Sequence, residues 1–191
     1  AGFCFGVARA VRIAYEKAAE GGAVTYGMLI HNKDVTDELE KLGVKTVKSL
    51  EEIPENSKVI IRAHGISEKE QNLLLEKGAE IIDATCPYVK KIHSIVNKAE
   101  SDVIIVGDPE HPEVKGIKGW ARGRVFVINS EAEAEELLQK NLSENVTIVA
   151  QTTIRKDFFK KIEKFSKKHF TNAKIFDTIC SATDERQKAA E

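Results

Sequence analysis

Apolar positions along this chain follow two alternating rhythms. Short unbroken runs, KVIIR at Lys58 to Arg62 and DVIIVG at Asp102 to Gly107, read as strands buried on both faces. Between them lie longer segments with apolar residues three and four apart, the period of a helix with one buried face. The first helix is expected over Gly6 to Glu20, with Val7, Val11, Ala14 and Ala18 on one face and Gly21-Gly22 closing it. A strand at Val24 to Met28, the loop LIHN and a helix to Leu42 follow. Beyond KVIIR, Ser67 and Glu70 have the spacing of a capping box for the next helix. A strand at Glu80 to Asp83 leads to Cys86, and Pro87 suits the first position of a helix faced by Val89, Ile92, Val96 and Ala99.

The second half repeats this plan. DVIIVG is followed by the loop DPEHPE and a helix from about Val114, then a strand at Arg124 to Ile128. Ser130 is placed to cap an acidic helix to Leu138. A strand at Val146 to Ala150 runs into Gln151-Thr152-Thr153, and the helix after it is expected to turn Phe158, Ile162 and Phe165 inward. The last strand is Ala173 to Phe176. Alternating strands and helices with short links predict an α/β fold of repeated small units, each a parallel sheet flanked by helices. The boundaries read as 1–86 and 87–180, with 181–191 opening a further unit. The chain starts without Met and stops in what reads as mid-helix, so it is expected to be a piece of a longer protein.

Composition narrows the function. Of 191 residues, 42% are hydrophobic and 31% charged, and the formal net charge is −1, so no bulk field recruits nucleic acid. No apolar run approaches the roughly 20 residues of a membrane span. Three cysteines in an α/β chain argue against a secreted disulfide framework and for a reducing, cytoplasmic setting.

The chemistry-bearing residues share one location. His31, His64, Cys86, His111, Glu113, Thr152 and Cys180 all follow predicted strands, where parallel sheets collect ligands. Cys4, Cys86 and Cys180 each precede a helical run, and IIDATC nearly repeats as IFDTIC. Taken singly, each cysteine reads as a small buried residue. As a set at matched corners they suit zinc, a three-iron cluster or a four-iron cluster with one iron open. His31, His64 and His111 can donate to a shared anion, whereas His93 and His169 sit inside helical runs and are assigned to packing. Glu113 either complements a helix N-terminus or moves protons, and Thr152 either ends a loop or orients a hydroxyl. The lysines from Lys156 to Lys168 read as a solvated face.

AGFCFGV, IHN, RAHG, DATCP, HPEVKG and AQTT, followed by the Cys180 segment, together resemble the 4-hydroxy-3-methylbut-2-enyl diphosphate reductase family, in family order over nearly the whole chain. The resemblance implies three α/β units around a central cluster site, two of them present here. It implies a [4Fe–4S] cluster on Cys4, Cys86 and Cys180, and reductive removal of the substrate's allylic hydroxyl to give isopentenyl and dimethylallyl diphosphates. By motif match His31, His64 and His111 hold the diphosphate, Glu113 handles protons and Thr152 meets the hydroxyl, with Asn32 and Gln151 as neighbours. It further implies a one-electron carrier, a ferredoxin or flavodoxin. The family's serine loops that complete the diphosphate pocket have no match in this chain. Two other readings compete: a non-catalytic iron–sulfur or zinc module serving as sensor or scaffold, and a metal-free phosphate-binding domain.

Overall fold

The computed structural model describes residues 2–30 and 32–183. The chain divides into two compact units, Ala1–Lys90 and Lys91–Glu191. The first contains α1 (Phe5–Glu20), β1 (Ala23–Tyr26), α2 (Lys33–Lys41), β2 (Lys45–Val47), β3 (Lys58–Ile61), α3 (Glu68–Glu76) and β4 (Glu80–Asp83). Helix α4 (Pro87–Asn97) runs on into the second. There it is followed by β5 (Asp102–Val106), α5 (Pro112–Lys118), β6 (Val125–Ile128), α6 (Glu131–Leu137), β7 (Asn145–Ala150), α7 (Lys156–His169) and β8 (Asn172–Phe176).

Both sheets are fully parallel and share one topology, with strand orders β2-β1-β3-β4 and β6-β5-β7-β8. Successive side chains of a strand point to opposite faces, and each unit uses this to build two cores. In the first unit Ile60 packs with Ala10 and Ala14 of α1 and Leu39 of α2, while its neighbours Val59 and Ile61 pack with Leu74 of α3. In the second, Ile104 and Val106 face Leu137 and Phe159, and Val103 and Ile105 face Ile92, Val96 and Ile117. Covering both faces is what makes central strands such as β3 and β5 continuously apolar.

The expected elements form, with three differences. Strand β2 was not anticipated; KTV is too short and too polar to register, and it joins the sheet through the ladder to β1 and a Thr25–Thr46 hydroxyl contact at 3.1 Å. The buried stripe of α1 is Gly6, Ala10, Ala14 and Ala18, with Val7 and Val11 at its margin, because the smallest residues let the helix approach the sheet closely. In α7 the face turned inward is Phe159, Ile162 and Ser166, while Phe158 and Phe165 lie at the edge of the core. The Ser67–Glu70 capping box is present in full. Among the described residues no helix is long and apolar enough to cross a membrane.

Candidate functional site

The loops beyond the carboxyl ends of the strands carry the reactive side chains, and the two units build these loops alike. After β4, the Thr85 N–H bonds the Asp83 carboxylate at 2.9 Å, and the Cys86 N–H then donates to Ala63 O at 2.9 Å. After β8, the Ile179 N–H bonds the Asp177 carboxylate at 3.2 Å, and the Cys180 N–H donates to Thr152 O at 2.9 Å. Each cysteine carbonyl then accepts from the helical turn that follows, from Lys90 and Thr183 respectively. The near-repeat of IIDATC and IFDTIC is therefore a repeat of local structure.

Cys4 is the N-cap of α1, in extended conformation, with no side-chain capping bond. All three cysteines are half-buried and none is in a disulfide. Gly6, in the first turn of α1, lies on Cys86: a Cβ at Gly6 would stand 2.4 Å from the Cys86 Sγ and 3.2 Å from its Cβ. Only a residue without a side chain lets the start of α1, two residues past Cys4, rest against that sulfur. Each unit by itself supplies at most two of the three cysteines. Among the described residues, no three Cys, His, Asp or Glu side chains stand close enough together to hold a metal ion.

The second unit holds an acid–hydroxyl pair. Glu113, at the second position of α5, is only 2% exposed. Its Oε1 accepts from the Thr152 N–H at 2.6 Å and its Oε2 from the Thr152 hydroxyl at 2.7 Å. Burial pushes the Glu113 pKa above the ordinary carboxylate value, and the two bonds from Thr152 offset this only in part. The position matching Thr152 in the first unit is Ala63, the acceptor for Cys86, so only the second unit carries the hydroxyl.

His111 caps α5 with its ring: Nδ1 accepts from the Glu113 N–H at 3.1 Å. In the neutral ring this bond leaves the proton on Nε2, which makes the outer edge of the imidazole a donor. His64 is half-buried in the turn after β3, where Gly65 adopts φ 75° and bonds Arg62 O at 3.0 Å. His31 lies outside the described residues. Asn32 spends its side chain on capping α2, with Oδ1 accepting from the Val35 N–H at 3.2 Å. Gln151 is likewise used within the protein: Oε1 accepts from the Asp108 N–H at 3.0 Å and Nε2 donates to Thr153 Oγ1 at 2.9 Å. His93 is buried and stacked on Trp120, and His169 lies against Phe165.

One residue that supports the site was not singled out from the sequence. Thr178 is buried, and its hydroxyl accepts from the Ala150 N–H at 2.8 Å and donates to Ala150 O at 2.6 Å. It ties the Cys180 segment to the end of β7, beside Thr152. A threonine in a strand-end loop carries no local signal for such a bond.

Repeated parallel-sheet units with thiol, imidazole and buried carboxyl groups past their strand ends define an α/β protein of the kind that collects ligands at such ends. Comparison with known proteins is specific. Residues 1–191 match the family model described as LytB protein, and the chain belongs to that family. It is 46% identical to the 4-hydroxy-3-methylbut-2-enyl diphosphate reductase of Campylobacter hominis, covering 99% of this chain and 68% of that protein. It is 43% identical to the reductase of the same name from Caldanaerobacter subterraneus, over 100% of this chain and 68% of the relative. Among solved structures, it superposes with a TM-score of 0.87 at 41% identity on (E)-4-hydroxy-3-methyl-but-2-enyl diphosphate reductase, described as the terminal enzyme of the non-mevalonate pathway, covering 99% of this chain and 69% of that one. A reductase from Plasmodium falciparum gives a TM-score of 0.91 at 30% identity, covering 98% of this chain and 61% of that chain.

Proposed function

We propose that the protein is a 4-hydroxy-3-methylbut-2-enyl diphosphate reductase. The reaction removes the allylic hydroxyl as water, consuming two electrons and two protons and giving isopentenyl and dimethylallyl diphosphates. The observation that carries this reading is the buried Glu113–Thr152 pair, bonded through the Thr152 carbonyl to the corner of a cysteine. A carboxyl held above its ordinary pKa keeps a proton nearer to neutral pH. The Thr152 hydroxyl can accept that proton on one side while donating to a substrate oxygen on the other.

By chemistry, thiols are the donors that an iron–sulfur cluster takes. Cys4, Cys86 and Cys180 are thiols outside any disulfide, partly accessible, and each placed ahead of a helical turn. Gly6 keeps the space beside the Cys86 sulfur clear of a side chain. These three would hold a [4Fe–4S] cluster, and bound there it supplies the electrons and a Lewis-acidic iron. A diphosphate is highly charged and needs several donors together. His31, His64 and His111 would provide them, His111 through Nε2–H. The electrons would come singly from a ferredoxin or flavodoxin in a reducing cytoplasm. In this reading 1–86 and 87–180 are two of three units, and 181–191 opens the third.

Anaerobic reconstitution of the 191-residue chain tests this. The expected result is a cluster spectrum that shifts on adding the diphosphate substrate. Zinc instead of iron, or a spectrum indifferent to substrate, would overturn it.

A further inference from the structure

The Asp83–Cys86 segment is held by helix α1 as well as by its own sheet. Arg9, one turn past Gly6, reaches across with both guanidinium arms. Its Nη1 donates to Thr85 O at 3.2 Å and its Nη2 to Asp83 O at 3.3 Å. These carbonyls belong to the residues just before Cys86. The remaining polar groups of the segment are engaged elsewhere. The Asp83 carboxylate accepts from the Thr85 N–H and pairs with Lys90 at 2.6 Å, and the Cys86 N–H goes to Ala63 O. Arg9 has no carboxylate partner among the described residues. Its five-donor fork is spent on two neutral carbonyls, an arrangement that fixes geometry.

Comparison of the two units sharpens the point. In the second unit, the segment before Cys180 is tied down by the Thr178 hydroxyl, which bonds both backbone groups of Ala150. The residue at the matching place in the first unit is Ala84, two before Cys86 as Thr178 is two before Cys180, and it has no hydroxyl. There the tether comes from the other side, out of α1. That helix also carries Cys4 at its N-cap and rests Gly6 on the Cys86 sulfur. One rigid helix therefore controls the placement of two cysteines.

We propose that Arg9 is a positioning residue that fixes Cys86 against the Cys4 end of α1, so that the first unit presents this pair of sulfurs already set for a thiophilic metal centre. The inference rests on the iron–sulfur reading for its purpose, but it can be tested without the cluster. The probe is Co²⁺ added anaerobically to the metal-free 191-residue chain, read by thiolate-to-cobalt absorption. Wild type is compared with Arg9→Met and Arg9→Lys, and melting temperature and far-ultraviolet circular dichroism are recorded alongside. Outer-shell contacts of metal ligands are typically worth about 10- to 100-fold in affinity. Arg9→Met is expected to weaken Co²⁺ binding about tenfold or more, and to speed cluster loss to an iron chelator, with melting close to wild type. Arg9→Lys, able to reach one carbonyl at a time, should recover part of the affinity. Wild-type affinity and cluster retention in Arg9→Met would overturn the inference. If that variant fails to fold, Arg9→Lys decides alone: a partial loss in a native fold supports it and full retention overturns it. Arg9-dependent Co²⁺ binding in a chain that takes up no iron–sulfur cluster would sink the cluster reading and leave the role of Arg9 standing.

Discussion

Glu113 is bound at both carboxyl oxygens by a single residue, Thr152, through its N–H at 2.6 Å and its hydroxyl at 2.7 Å. Glu113 opens α5 beyond β5 and Thr152 follows β7, and their pairing sets a buried acid against a hydroxyl. Burial raises the pKa of Glu113 above 4.5, so ionisation opposes folding. The favourable, protonated state is fully populated below the unfolded value of 4.5, and its contribution to stability is lost as pH rises through the raised folded value. Glu113→Gln keeps an acceptor for the Thr152 N–H and removes the titration. The variant should therefore gain stability relative to wild type as pH rises from below 4.5 toward neutrality, measured by denaturant melts across that range. Reductase turnover should fall by about 10²-fold or more, the usual worth of a positioned acid–base group. Parallel stability curves for the two proteins would contradict the assignment of a buried, titrating Glu113.

His111 serves the fold through Nδ1, which caps α5, and the proposed diphosphate contact falls to Nε2. His111→Asn retains a capping acceptor for the start of α5 and deletes the Nε2–H donor. Melting temperature should stay near wild type while the KM for the diphosphate substrate, or the Kd for inorganic pyrophosphate, rises about tenfold, as for loss of one hydrogen bond to a charged group. Unchanged pyrophosphate affinity would remove His111 from the binding shell.

Thr178→Val tests the tether beneath Cys180. Valine matches threonine in shape but leaves the N–H and carbonyl of Ala150 without the hydroxyl they share. Burying unsatisfied polar groups costs about 1–3 kcal/mol, and each kcal/mol lowers the melting temperature by about 2–4 °C in a chain of this size. Calorimetry should show that loss, and a reconstituted cluster should bleach faster. Full thermal stability in the variant would mean that Ala150 finds other partners.

Gly6→Ala should separate helix propensity from site geometry. Alanine favours a helix over glycine by about 1 kcal/mol, yet its Cβ would stand 2.4 Å from the Cys86 Sγ. The sulfur must swing to another rotamer. Near-native melting with sharply reduced iron content after reconstitution is the expected outcome, and wild-type iron content would show that the Cys86 rotamer is unimportant.

Much of this was legible from residue order. The capping box at Ser67–Glu70, Pro87 at a helix start and Ser130 as a cap all formed, because each depends on groups within one helical turn. Central strands such as β3 and β5 announced themselves by unbroken apolar runs, which follow from sheets covered on both faces. Short β2 escaped notice because three residues, one of them buried, carry no pattern. The inward face of α7 lies one residue on from the expected Phe158 and Phe165, at Phe159 and Ser166, since adjacent aromatics on a helix give the period no way to choose.

The amino-acid sequence by itself determined which segments become strands and helices, and that cysteines, histidines and an acid fall just past strand ends. Those properties are local or periodic, so nearest neighbours in the chain suffice to set them. Only the tertiary structure decided that Glu113 meets Thr152, that Thr178 grips Ala150, and that Arg9 and Gly6 bear on the Cys86 segment. These partners lie 28 to 80 residues apart, and what brings them together is the parallel pairing of strands. Strand order and register fix which loop ends become neighbours, and no rhythm within a single segment contains that information.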